Sequence, residues 1–253
     1  MSSIGSKRYL SIACSNGGSG TYGSSVGSSQ LRFDIANSGM LQTQEMRLQG
    51  TFQIRNVSGG ALNGVANNAL NTASLNDVNV NSYLGVQSFV DNLEIASRVN
   101  SQRSIEKINN YGQLVSSLMS ALHSKGGYDN TLSHEQGGMG YGFANYANNS
   151  TKAVALPFNF TGQALNNRKP FLGANGLQFD IRLMAGMFMG QSSIDLETLG
   201  GMTITINCAA DNNVIFGTQA AGFRYEIVNP RIIVPIMEKT PQQQMATMQR
   251  PMT

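Results

Sequence analysis

Residues 176–190 read GLQFDIRLMAGMFMG, residues 200–217 read GGMTITINCAADNNVIFG, and residues 222–237 read GFRYEIVNPRIIVPIM. Apolar and polar residues alternate in each stretch, and successive side chains of an extended chain point to opposite faces. Phe179, Ile181 and Leu183 therefore share one face of a strand, with Gln178, Asp180 and Arg182 on the other. Met202, Ile204, Ile206 and Cys208 repeat the pattern against Thr203, Thr205 and Asn207, and Phe223, Tyr225 and Ile227 repeat it against Arg224 and Glu226. No stretch of helical period separates the three, which predicts antiparallel sheet. In the last stretch the apolar set shifts from odd positions, ending at Ile227, to even positions at Ile232, Val234 and Ile236. One extra residue is absorbed at Asn229-Pro230. Proline cannot donate to a sheet ladder, so a bulge on an edge strand of a sandwich is expected there.

The chain has 253 residues, of which 41% are hydrophobic and 12% charged, against about a quarter charged in an ordinary soluble domain. This is enough apolar content for one large β domain, under a surface that is polar but mostly uncharged. Neighbouring molecules can approach such a surface without stripping water from many charges. The net charge of +3 and the single Lys7-Arg8 run give no electrostatic footprint for nucleic acid. The apolar run Tyr9 to Ala13 is too short for a signal peptide, and no stretch approaches a membrane span. Cys14 and Cys208 are the only cysteines; they make no disulfide framework, although one bridge stays open, and Cys208 sits at core parity.

Working outward, residues 1–30 are Gly- and Ser-rich around one short apolar run and are expected to form a flexible arm. Leu31, Phe33 and Ile35 alternate as a strand, and a second strand runs from about Gln44 to Val57 with Met46, Leu48, Phe52 and Ile54 on one side. An insert loop over 56–81 follows, then a strand from Val86 to Ala96 with Phe89, Leu93 and Ile95 inward. Ser104 to His123 places apolar residues at spacings of three and four, which predicts an amphipathic helix capped by Ser104 or Ser101 and lying across a sandwich edge or end as a lid. A second insert loop covers 124–151. Its Tyr128, Tyr141, Phe143 and Tyr146 are candidate partner contacts, or else pack on their own molecule. Ala153 to Thr161 returns to strand, at an edge by Pro157, and 238–253 reads as an extended C-terminal tail.

Reaction chemistry is sparse. Gly23-Ser24-Ser25-Val26-Gly27 fits the nucleophile-elbow pattern at Ser25, but that device needs a strand before and a helix after, and the flanks here are linker. Ser15 to Gly20 is glycine-rich yet has no lysine and no following helix to cradle a phosphate. His123, His134, Asp129 and Glu135 are the only place where histidines and carboxylates come close, too loosely spaced for four tight metal ligands. Asp91 and Glu94 fall on opposite faces of their strand and cannot act as a carboxylate pair. The expectation is a protein that is not an enzyme, with no catalytic residue, cofactor or metal.

In order, the Gly/Ser arm, the strand pair FDIANSGMLQTQEMRLQGTFQIRN, LEIASRVNSQRSIEKINNYGQLVSSL, VALPFNF, and the closing FDIRLMAG, GGMTITI and YEIVNPRIIV resemble the single jelly-roll capsid proteins of double-stranded DNA viruses. Within that group the chain is most similar to penton proteins of virophages, polinton-like viruses and nucleocytoplasmic large DNA viruses. The likeness covers roughly residues 31–237 and implies an all-β fold of about eight antiparallel strands in two packed sheets. It further implies homopentamers at the fivefold vertices of an icosahedral shell, with a larger major capsid protein and minor capsid proteins as partners. Such a protein resides in the virion and is assembled in the host cytoplasm or a virus factory, with no direct contact to nucleic acid and no indicated contact to an internal membrane. Rival readings are a minor capsid protein, or a sugar-binding jelly roll whose loop tyrosines stack on the ligand.

Overall fold

The computed structural model describes residues 6–16, 20–56, 79–80, 84–99, 103–122, 144–146, 155–157, 177–190, 193–216 and 223–239. Eight principal strands are β1 Lys7–Ala13, β2 Gln30–Ile35, β3 Arg47–Asn56, β4 Val90–Ser97, β5 Ser104–Ile108, β6 Leu177–Ile181, β7 Met202–Cys208 and β8 Phe223–Met237. One sheet runs β1-β8-β3-β6 and the other β2-β7-β4-β5, with every neighbouring pair antiparallel. This interleaved order, with strand 1 beside 8 and 2 beside 7, is that of a jelly roll. Short strands extend the first sheet: Thr21–Tyr22 pairs with β8, and Met40–Leu41 joins β8 to Ile194–Asp195.

The core lies between the sheets and holds the parity sets read from the sequence. Phe33, Leu48, Phe52, Leu93, Ile95, Ile181, Ile204, Ile206, Tyr225, Ile232 and Val234 are all fully buried. Leu183 is buried just beyond β6. The alternation succeeds because each sheet has one dry and one wet face. Glu226 departs from it: although at polar parity it is buried, with its carboxylate 2.9 Å from the Arg224 guanidinium and 3.9 Å from that of Arg55.

The closing strands are divided between sheets. β6 and β8 flank β3 in one, while β7 is central to the other. Between them lie the one-turn helices Gly186–Met189, Leu196–Leu199 and Asp211–Val214, each too short to leave a helical period in sequence. The bulge in β8 falls where the parity switch places it, between Val228 and Arg231. β8 is nevertheless an interior strand, with β1 on one side and β3 on the other. Pro230 is accommodated by the bulge and not by an edge.

Three further expectations change. The 1–30 segment contributes β1, whose backbone pairs with β8 and whose Leu10 and Ile12 pack on the core, and Tyr22 in the short strand Thr21–Tyr22 is fully buried. Two inward side chains and a seven-residue ladder outweigh the linker composition that suggests an arm. The strand expected from Val86 starts at Val90, after the 3-10 turn Gly85–Phe89. The helix expected from Ser104 divides: Ser104–Ile108 is strand β5, and the helix, α1, spans Tyr111–Leu122. Asn110 adopts a positive φ of 53°, which ends the strand and redirects the chain, so neither serine caps the helix. α1 buries Tyr111 and Val115; the Tyr111 hydroxyl accepts from the Met184 N–H at 2.8 Å and lies 3.4 Å from Gln87 Oε1. The side chain of Glu106 in β5 accepts from the N–H groups of Gly186 and Met187 at 2.8 and 2.9 Å.

Candidate functional site

The registers place the connections 14–29, 57–89, 109–176 and 209–222 at one end of the sandwich. Both chain ends and the connections 36–46, 98–103 and 182–201 lie at the other, where the Glu238 N–H donates to the Ser6 carbonyl at 3.0 Å. Charge is distributed unevenly among the connections of the long-loop end. Connections 14–29 and 57–89 contain Asp77 as their only charged residue, and 209–222 contains only Asp211. The longest connection, 109–176, contains Lys125, Asp129, Glu135, Lys152, Arg168 and Lys169. Among the described residues the ion pairs lie on the sheet faces and at the opposite end.

Of the aromatic set proposed as partner contacts, Tyr128, Tyr141 and Phe143 lie outside the described residues. Tyr146 ends the short strand Ala144–Tyr146, which pairs with Ala155–Pro157. Both segments belong to the connection that leaves from the long-loop end. His123, His134, Asp129 and Glu135 also lie outside the described residues, among which no group of three or more His, Cys, Asp or Glu could hold a metal ion. No helix among the described residues is long and apolar enough to cross a membrane.

Ser25 lies in the connection between β1 and β2, and its hydroxyl donates to Asp211 Oδ2 in the one-turn helix that follows β7. An elbow requires a general base in line with the serine, commonly a histidine. Here a carboxylate meets the hydroxyl directly, an arrangement that tethers two loops. Asp91 is the extra residue of a bulge opposite Asn207 and Cys208, which removes it from any pairing with Glu94. Cys14 and Cys208 are free thiols. Cys14 Sγ accepts from the Arg32 N–H at 3.2 Å, while Cys208 packs against the core, where burial pushes its thiol up to about 12. It is therefore an unreactive thiol.

The opposite end holds a charged cluster that the sequence does not announce. Lys239, two residues past β8, is 8% exposed, with Nζ 2.8 Å from Asp195 and 2.5 Å from Glu197. Asp195 also caps the helix Leu196–Leu199 by accepting from the Glu197 N–H at 3.0 Å. Burial works against the charged form of Asp195, but hydrogen bonds from Lys239, Thr198 and the Glu197 backbone prevail and hold it below 3.8. Burial likewise opposes charge on Lys239, and the two carboxylates outweigh it and hold the ammonium above 10.5. Lys239 thus ties the end of β8 to the helix Leu196–Leu199. Lys239→Ala is expected to cost about 1–2 kcal/mol, less than the roughly 3–5 of a fully buried pair because Glu197 keeps contact with water. The depressed Asp195 contributes fully above 3.8 and loses its share as pH falls through its lower folded value. The raised Lys239 contributes fully below 10.5 and loses its share as pH rises through its higher folded value. The wild-type advantage over Lys239→Ala in urea melts should therefore be flat between those limits and shrink outside them. A difference that varies between pH 5 and 9 would contradict this linkage.

No protein-family model matches the chain, and no curated protein is similar to it in sequence. Solved structures are similar in fold. The mavirus major capsid protein aligns over 92% of this chain and 47% of its own, at 13% identity and a TM-score of 0.51. The Sputnik virophage structure aligns over 95% of this chain and 49% of its own, at 11% identity and a TM-score of 0.50. The chain spans about half the length of the structures that it matches, and what it shares with them is the jelly-roll fold.

Proposed function

We propose that this chain is a capsid protein, one that forms homopentamers at the fivefold vertices of an icosahedral shell beside a larger major capsid protein. The observation that carries the reading is the strand order, two antiparallel four-stranded sheets in jelly-roll sequence, a fold similar to that of the mavirus major capsid protein. One surface patch meets a different patch on the next copy, and the contact closes into a ring when its rotation allows. The low share of charged residues in the chain, 12%, supports the reading, since close packing then strips water from few charges. Tyr128, Tyr141, Phe143 and Tyr146 are the residues that this reading assigns to contacts with neighbouring molecules. Each contact can be modest because the rest of the shell reinforces it. Light scattering of the purified full chain tests the proposal: a mass of five chains is expected, and a single-chain mass at all concentrations would sink it.

A further inference from the structure

Each four-stranded sheet has two edge strands, and an unprotected edge is a template for another strand. Among the described residues two of the four edges are covered or blunted, and two are not. β2 is covered by the turn that follows β1: the Ser15 N–H donates to the Arg32 carbonyl, the Arg32 N–H to Asn16 Oδ1, and the Asn16 amide to the Gln30 carbonyl. β5 is blunted by a bulge at Ile105, and the Glu106 carboxylate is committed to the Gly186 and Met187 N–H groups. β6 is short and pairs with β3 on one side. β1 carries no such device. Five of its seven residues are exposed, including Tyr9 at 58%, and there is no bulge, proline or covering turn along it. Among the described residues nothing pairs with the outer edge of β1 or of β6.

The bond from Glu238 to Ser6 settles which β1 groups point where. Residues 6 and 238 are opposite each other and hydrogen-bonded, so residues 8, 10 and 12 aim their backbone groups at β8. Lys7, Tyr9 and Ser11 aim theirs at the open side. The sheet contains an even number of alternating strands, so β1 and β6 run in opposite directions. A neighbour placed with its β6 beside β1 therefore continues the antiparallel order without a break. Core faces fix the register by steps of two. With Leu10 and Ile12 facing one way and Phe179 and Ile181 the other copy's same way, Lys7 can stand opposite Asp180 and Tyr9 opposite Gln178. Opposite charges on facing strands favour this register. Lys7 keeps its own Glu45 at 2.5 Å and gains the second carboxylate.

We infer that the outer edge of β1 pairs with the outer edge of β6 from a second copy of this chain, with Lys7 set against Asp180, joining their sheets into one. This rests on the assembly reading above and names its contact. Because two different edges meet, the contact is head-to-tail and adds copies in one rotational sense.

The test is the mass of the full chain by light scattering for wild type, Ser11→Pro, Lys7→Glu, Asp180→Lys and the double reversal. Ser11→Pro removes an N–H from the open side and leaves the bonds to β8 in place, so the multimer should fall to single chains while the thermal midpoint of the monomer persists. Each charge reversal should weaken the multimer, and the double reversal should restore part of it, the rest being lost because a carboxylate at position 7 also faces Glu45; a folding defect would not produce that partial rescue. A wild-type multimer untouched by Ser11→Pro and by both reversals overturns the contact while leaving the capsid reading standing. A mass of two chains overturns it as well, since β1 would then pair with β1. A wild-type chain that stays single at all concentrations overturns both.

Discussion

Replacing Phe52 with alanine is expected to lower the unfolding free energy by about 3–5 kcal/mol, the largest loss from any single truncation in the first sheet. Phe52 lies on β3, between Ile227 of β8 and Leu177 of β6, and is fully buried. Its ring lies parallel to that of Tyr225 within 2°, the centroids 6.0 Å apart. Truncation removes most of the side chain from the centre of a sandwich whose two sheets cannot close on the space left, and an aromatic pair is worth about 0.5–1.5 kcal/mol beyond its area. The damage extends further because Tyr225 is held at its other end by the Ala209 carbonyl, to which its hydroxyl donates at 2.5 Å. A ring fixed at its tip cannot swing into the vacancy. Phe52→Leu keeps much of the apolar volume and should cost roughly 1–1.5 kcal/mol. Urea melts with an unchanged slope measure both, and a loss below about 1 kcal/mol for Phe52→Ala would mean that β3 does not form the floor of the core.

Phe52 also shows what was readable in advance. It alternates with Gln53 and Thr51, and that two-residue period is set by the pleat alone, so it survives any topology. The same holds for Ile204, Ile206 and Tyr225, each buried where the alternation puts it. β1 was harder. Leu10 and Ile12 alternate with Tyr9 and Ser11, but two apolar residues beside a glycine-serine run carry less signal than the composition around them. What makes them a strand is the ladder offered by β8, more than two hundred residues away in sequence. Ile105 and Ile108 misled in the opposite sense. Their spacing of three fits a helix, and only pairing with β4 and the left-handed turn at Asn110 decide otherwise. The candidate site was less legible than the fold. Lys239 looks like any lysine in a polar tail, and its partners Asp195 and Glu197 lie on a one-turn helix with no period to announce it. The open edge of β1 is invisible to sequence, because an edge is defined by which strand fails to arrive.

Deleting Asn229 is expected to cost about 2–4 kcal/mol without changing which residues β8 buries, more than substituting it costs. In β8 the pairing with β3 runs from Val228 opposite Thr51 to Arg231 opposite Gln49, so Asn229 and Pro230 together face Gly50 alone. Asn229 adopts a φ of 50°, a region that asparagine tolerates better than most residues, and its N–H donates to the Gly20 carbonyl at 2.8 Å. The bulge is thus keyed from both sides, by β3 on one and by the turn before Thr21–Tyr22 on the other. Removing one residue leaves one residue, Pro230, opposite Gly50, so Val228 stays opposite Thr51 and Arg231 opposite Gln49. Ile227 and Ile232 keep the core face on either side, and the pairing with β1 is unchanged. The cost is local: the bond to Gly20 is lost, and Pro230 is forced into an extended slot over Gly50 and the Phe179 ring, together about 2–4 kcal/mol. Asn229→Gly keeps both the count and the backbone angle and should change stability by less than about 1 kcal/mol. Asn229→Val forces a branched side chain into the left-handed region and should cost about 1–2 kcal/mol. Circular dichroism and urea melts of the three variants should rank them in that order. A deletion variant that fails to fold would mean that the bulge is needed for more than the count of residues, since the pairing of both halves of β8 with β3 survives the deletion.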